Sequence, residues 1–336
     1  MKYLKTVAVI LVIALLLALV FALGVGVGFY SLLTPQKGEK VVIEIPKGAT
    51  GAQVARQLEE KGAINQAFLF RVVMKLSDSG DEMKPGRYEV DPDKNMIQIL
   101  EQLKKGGGEL RLVSIPEGLT LKQVAQLLDE KGIVKKEEFL ITAGEKPFEV
   151  NGKPPASLEG YLLPNTYDFP VYYDSEKTIQ TMVDAFNEKA VFQYEKKKDS
   201  LPVSLSLHEV VTLASMVERE AQVEKERAKI ANVYYNRLKK GMKMECDATV
   251  RYALEKFKDY LKYSDLRVDS PYNTYVYTGL PPGPIANPGL ESIKATLNPE
   301  NHNYYYYVRN DVKNDGSHIF SKTYAEHNAA IRKYQR

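Results

Sequence analysis

Hydrophobic patterning divides the chain into three textures. Residues 6 to 36 contain no charged side chain, and Val7 to Leu33 is almost wholly apolar. About 20 helical residues cross the hydrocarbon core of a bilayer, so this stretch is long enough to span one. A signal peptide has a shorter apolar region, roughly 7–15 residues, and no Ala-x-Ala cleavage site follows here. Lys2 and Lys5 precede the span, which predicts a retained single-pass anchor with its N-terminus inside and residues 37 onward outside. From Val41 to Gly48 the pattern Val-Val-Ile-Glu-Ile-Pro-Lys-Gly reads as a strand running into a turn. Thr50 then caps a helix with Val54, Ala55 and Leu58 on its inner face, closed by Gly62. Seventy residues later the pattern returns as Ile115-Pro116, Gly118, Thr120, Val124-Ala125, Leu128 and Glu130-Lys131-Gly132. A matched register over eighteen residues predicts a repeated β-α unit. Between the copies, Lys84 to Val90 reads as turn plus strand, Met96 to Leu103 as helix, and Gly106 to Gly108 as a hinge.

From Leu158 turn signals multiply, tyrosines become frequent and the helical segments lengthen, which places a boundary near residue 155. Ser206 with Glu209 forms a capping box for the best helix in this half. Its apolar positions Val210, Ala214, Val217 and Ala221 predict one buried stripe. Glu218 lies beside that stripe among Ala214, Ser215, Ala221 and Gln222, and a carboxyl with small uncharged neighbours loses hydration, the setting a general acid needs. Glu220, with Glu224 four residues on and Arg227 beyond, reads instead as part of a solvated, charge-laced face.

Composition removes several chemistries. Hydrophobic residues make up 44% and charged residues 26%, a globular balance, and 46 basic against 43 acidic side chains leave only +3, so nothing calls for nucleic acid. The one cysteine, Cys246, can form neither an internal disulfide nor a thiolate cluster. His208-Glu209 opens like a zinc-protease helix, but Thr212 stands where the second histidine is required. No serine is followed three residues later by lysine, and no P-loop occurs. Neither a metal nor a cofactor is expected.

The motifs after residue 158 carry a family resemblance. Leu158-Glu159-Gly160-Tyr161-Leu162-Leu163-Pro164-Asn165-Thr166-Tyr167 is similar to the opening motif of the endolytic murein transglycosylases, and Leu213 to Glu220 resembles their catalytic helix. Asp247 to Tyr252, Ser270 to Tyr275 with Gly279 to Gly289, and His318 to Thr323 with Glu326-His327-Asn328 resemble three further motifs in order. The repeated units before them resemble LysM-like modules that grip cell-wall glycan; read by themselves they either bind glycan or only position the second domain. Cys246 departs from the small polar residue expected beside Asp247, and the duplication exceeds the single LysM-like module associated with the family.

The resemblance implies an α+β protein: an anchor over 1–36, a repeated LysM-like β-α region over 37–154, and a mixed catalytic domain over 155–336. It implies Glu218 as catalytic acid, with Ser215, Asp247, Thr249, Tyr252, Tyr272, Asn273 and Asn287 as substrate-binding residues. Asp247 read by itself either orients a substrate hydroxyl or caps a turn. The expected substrate is newly made peptidoglycan glycan, cut internally at the N-acetylmuramic acid–N-acetylglucosamine bond. The expected partners are the membrane and a glycan synthase, a penicillin-binding protein, with the elongation or division machinery. A glycosidase normally needs two carboxylates. One acid suffices for a lytic transglycosylase, because the nucleophile is the substrate's own C6 hydroxyl. The rival readings are a hydrolytic muramidase and a non-catalytic wall-binding scaffold.

Overall fold

A computed structural model of the protein describes residue 26 and residues 34–335, apart from 46–47, 78–82, 85, 107–109, 172 and 258–260. The predicted membrane span and most of the Gly106–Gly108 hinge lie outside the described residues. Among the described residues no helix is long and apolar enough to cross a membrane.

The first β-α unit is a strand–helix–helix–strand arrangement. Strand β1 (Val41–Ile45) is followed by α1 (Gly51–Glu60), α2 (Ala67–Leu76), β2 (Gly86–Val90) and α3 (Met96–Lys105). β1 and β2 pair antiparallel in the register Val41↔Val90 to Ile45↔Gly86. The period-2 alternation of β1 turns Ile43 and Ile45 inward onto Val54, Leu58, Phe70, Tyr88 and Leu103, and these form the core of the unit. Thr50 caps α1 through a complete capping box with Gln53.

The second copy repeats the order with β3 (Leu110–Ser114), α4 (Leu121–Glu130), α5 (Lys136–Glu145) and β4 (Thr166–Pro170), β3 pairing with β4. Thr120 and Gln123 form the same capping box as in the first copy. Each copy therefore holds a second helix that the repeat in the sequence did not reveal. The chain forms two compact units, one ending at Arg111 and taking in Asp168–Asp174, the other made of Leu112–Tyr167 and Ser175–Arg336, so α4 and α5 belong with the C-terminal unit.

The rest of that unit is helical with one small hairpin. α6 (Ser175–Phe186) and α7 (Phe192–Lys197) precede α8 (Leu207–Glu220), α9 (Arg227–Lys239), α10 (Asp247–Ala253) and α11 (Leu290–Leu297). The hairpin β5 (Tyr306–Arg309) and β6 (His318–Ser321) and helix α12 (Tyr324–Tyr334) close the chain. α8 packs against α9, α10 and α11, and every residue from Val210 to Val217 is buried. It is a central helix, buried well beyond the one stripe its apolar spacing predicted. Its polar members Thr212 and Ser215 satisfy themselves by donating to the carbonyls of His208 and Thr212.

Candidate active site at the end of helix α8

The last turn of α8 carries two carboxylates two residues apart, about 200° around the helix, so they leave it on opposite sides. Glu218 turns toward the second β-α copy and the start of α11. One oxygen accepts from the Gly289 amide at 2.9 Å, and the other lies 3.6 Å from the Arg227 guanidinium. The same guanidinium is 3.6 Å from Glu117. Burial, and next the neighbouring Glu218, push the Glu117 carboxyl up, with Arg227 opposing. A Cβ at Gly289 would meet the Glu117 carboxylate, so a larger residue there would have to turn that side chain aside. The uncharged surroundings expected for Glu218 are thus replaced by an arginine and a second carboxyl, brought by elements distant in sequence.

Glu220 turns the other way. α8 stops at Glu220, and Glu224 begins a separate 3₁₀ turn, so the helical neighbour that made Glu220 read as solvated is not on its face. Glu220 is half-buried as a residue and its carboxyl is enclosed. Tyr307 donates to one oxygen at 3.1 Å, and the Cys246 thiol donates to the other at 3.3 Å. Burial pushes the Glu220 carboxyl up, and Asp247 adds to this, against the hydrogen bonds from Cys246 and Tyr307 and the nearby His318. The carboxyl borders a cavity of about 570 Å³ lined also by Arg219, Asp247, Tyr275 and His318. Behind His318, Glu226 accepts from Nδ1 at 2.8 Å and from the backbone amide of His318, which fixes the imidazole at the cavity wall.

Several sequence-predicted residues hold this cavity from behind. Asp247 is the one whose side chain lines it, accepting from Tyr275 at 2.7 Å. Thr249 is fully buried, donates to the Cys246 carbonyl and shares a 2.9 Å hydrogen bond with Thr274. Thr274 in turn accepts from the Cys246 amide, so the pair sets the backbone that presents Cys246 and Asp247. Asn273 is buried as well; it donates to the carbonyls of Leu266 and Val268 and accepts from the Tyr275 amide, which places Tyr275. Ser215 accepts from Ile285 and ties the proline-rich loop to α8. Asn287 joins the Leu119 carbonyl and the Leu162 amide, while its own carbonyl accepts from Gly118. These four side chains have their polar atoms committed to the protein.

Tyr252 and Tyr272 stand together, ring centres 4.9 Å apart, and Tyr252 donates to Glu159 at 3.3 Å. Neither ring lines the cavity beside Glu220. Glu159 also accepts from Leu121, the first residue of α4, and burial pushes its carboxyl to about 7. Sequence reasoning missed Glu117, Arg227, Tyr307 and the site role of His318. His318 stood inside a quoted motif. For Glu117 and Arg227 no local signal exists, since their partners lie about 100 residues away or on another helix.

The profile of the YceG-like family matches residues 43–333. A Bacillus subtilis protein named endolytic murein transglycosylase is 36% identical over 326 residues, covering 90% of this chain and 88% of its own length. A Streptococcus pneumoniae protein of the same name is 28% identical, and the match covers 88% of this chain but 58% of that longer protein. The crystal structure of a YceG-like protein from Listeria monocytogenes is similar at a TM-score of 0.57 and 36% identity, over 87% of this chain and 99% of that one. The motifs after residue 158, the duplicated units from residue 43 on and the site at the end of α8 fall inside the matched span, and the chain belongs to the YceG-like family.

Proposed function

We propose that this protein is an endolytic murein transglycosylase in which Glu220, rather than Glu218, serves as acid and then as base. The names of its relatives support the reaction class. The observation that carries the residue choice is the enclosed Glu220 carboxyl, pushed up by burial at the wall of a 570 Å³ polar cavity. Glu218 is held by Arg227 and Gly289, and its side chain is only 8% exposed, which suits an anchor. Protonated Glu220 gives its proton to the glycosidic oxygen as the C1–O bond of N-acetylmuramic acid breaks. The resulting carboxylate takes the C6 hydroxyl proton as that oxygen bonds to C1. A 1,6-anhydromuramoyl end forms, no water is consumed and Glu220 is protonated again. The intramolecular attack meets much of the entropic cost through ring geometry.

The test is Glu220→Gln beside Glu218→Gln, with anhydro ends counted by mass spectrometry. General acid–base catalysis contributes about 10²–10⁴-fold, and Glu220 acts in both half-reactions, so its loss belongs at the upper end. Glu218→Gln is expected to retain most activity and to lose stability, by about 1–3 kcal/mol, because one carboxylate partner of Arg227 goes. Retained activity in Glu220→Gln with loss in Glu218→Gln would reverse the assignment. A hydrolytic second reading rests on Asp247, which adds a second carboxylate to the cavity. The same spectra separate the two, since a reducing end carries one water more than an anhydro end.

By the same reading the apolar stretch of residues 6–36 holds the catalytic unit at the outer face of the cytoplasmic membrane. The first β-α unit contacts glycan, and a glycan synthase works beside the protein.

A further inference from the structure

Three groups from three elements converge on the Glu220 carboxyl: Tyr307 on β5, Tyr234 on α9 and Cys246 at the start of α10. Tyr307 donates to one oxygen and Cys246 to the other. The Tyr234 hydroxyl is 2.8 Å from that of Tyr307 and also engages the Cys246 sulfur. An ionised carboxylate only accepts, so the protons of Tyr307 and Cys246 both point at Glu220. Tyr234 is then left with one proton and two acceptors, the Tyr307 oxygen and the Cys246 sulfur. All three side chains are buried or nearly so. Burial pushes each of them well above its ordinary pKa, so they stay protonated and remain donors through the neutral range. The arrangement favours the ionised form of Glu220, while each carboxylate oxygen keeps a lone pair for the cavity.

We infer that Tyr307, backed by Tyr234, and Cys246 are positioning residues for the reaction: they fix both oxygens of Glu220, hold its transferable proton toward the cavity, and steady the carboxylate left after proton transfer. The inference rests on Glu220 being the acid. The two donors are unequal, a phenol on one oxygen and a weakly donating thiol on the other, so the thiol position is where exchange of one atom has a defined sign. Asp247 at the start of α10 and His318 on β6 also act on Glu220, and the same cavity is lined by Arg219, Arg237, Glu245, Tyr275, Arg309 and His327. None of these is altered in the variants below. Arg237 is held by the carbonyls of Tyr305, Lys243 and Met244 and by the Glu245 carboxylate.

The experiment measures kcat and kcat/KM against pH for the full chain in detergent, on solubilised glycan strands, by anhydro ends released. The alkaline limb of kcat/KM reports loss of the Glu220 proton in the free enzyme. Tyr307→Phe removes a donor to the charged form, so the limb is expected to rise by about one pH unit and kcat to fall about tenfold at unchanged KM. Tyr234→Phe is expected to move the limb the same way by less. Cys246→Ala is expected to raise it and Cys246→Ser, a stronger donor, to lower it. A purely packing role would not give two small substitutions at one position opposite signs. Unmoved limbs, or Cys246→Ser and Cys246→Ala moving together, overturn the inference while an inactive Glu220→Gln leaves the acid assignment standing. Full activity in Glu220→Gln overturns both. The Cys246 pair keeps the test decisive if Tyr307→Phe does not fold.

Discussion

Replacing Glu159 by glutamine is expected to stabilise the protein above neutral pH and to change little near pH 5. Glu159 is 8% exposed and bridges the Leu121 amide, at 2.9 Å, and the Tyr252 hydroxyl, at 3.3 Å. Burial raises its carboxyl from 4.5 to about 7, although both hydrogen bonds and Lys122 pull the other way. A raised carboxyl keeps its proton in the folded chain at pH values where the unfolded chain has released it. Stability therefore falls as pH rises from about 4.5 through 7, and the full cost is present above that window. Each unit is worth about 1.4 kcal/mol, which sets a ceiling of about 3 kcal/mol. Glutamine keeps an acceptor for Leu121, cannot ionise and carries no such cost. Chemical denaturation of both proteins at a series of pH values, followed by tyrosine fluorescence in this tryptophan-free chain, measures the difference. The stability gap between variant and wild type should open by about 2–3 kcal/mol between pH 5 and pH 8, other titrations cancelling in the comparison. Parallel curves, or a variant that is the weaker protein at pH 8, would refute the buried-carboxyl account.

Two further outcomes are expected beyond the pH profiles and the paired glutamine variants. A chain beginning at residue 110 keeps the second β-α copy and should fold, whereas one beginning at residue 155 strips Asn287, Arg219 and Glu159 of partners at Leu119, Gly118 and Leu121 and should not; circular dichroism decides. A reporter fused after Arg336 should be active only outside the cytoplasm, and protection of the C-terminal half from protease in intact spheroplasts would count against the anchor.

The elements most legible in the sequence are those specified by local chemistry. Thr50 with Gln53, Thr120 with Gln123 and Ser206 with Glu209 each form the capping box that starts a helix, and the spacing alone predicts Thr50 and Ser206 as caps. The inward residues of β1 alternate as the sequence alternates. The helices α2 and α5 were less legible for different reasons: α2 opens with the continuous apolar run Ala-Phe-Leu-Phe, and α5 is weakly periodic and buries only Phe139. The unit division at Leu112 was hidden for another reason. Gly118 and Leu119 pair with Asn287 and Leu121 pairs with Glu159, contacts that span from 38 to about 170 residues and leave no trace in local patterning.

The choice between Glu218 and Glu220 turns on where α8 ends. Extended by one more turn, the helix would put Glu224 beside Glu220 and leave Glu218 among small neutral residues, as its spacing suggests. Stopping at Glu220 removes that charged neighbour, and the 3₁₀ turn from Glu224 to Glu226 then starts α9 with Arg227 directed at Glu218. The same turn sets Glu226 against His318 at the cavity wall. One helix terminus thus gives two glutamates opposite environments: a cation and a backbone amide on one side, phenol and thiol donors in a polar cavity on the other. The Glu218 oxygens are engaged by a guanidinium and a backbone amide, whereas burial pushes the Glu220 carboxyl up, and a proton donor must be able to hold its proton until the leaving oxygen takes it. That asymmetry, created by helix termination and contacts far apart in sequence, is the physical reason for assigning anchoring to Glu218 and proton transfer to Glu220.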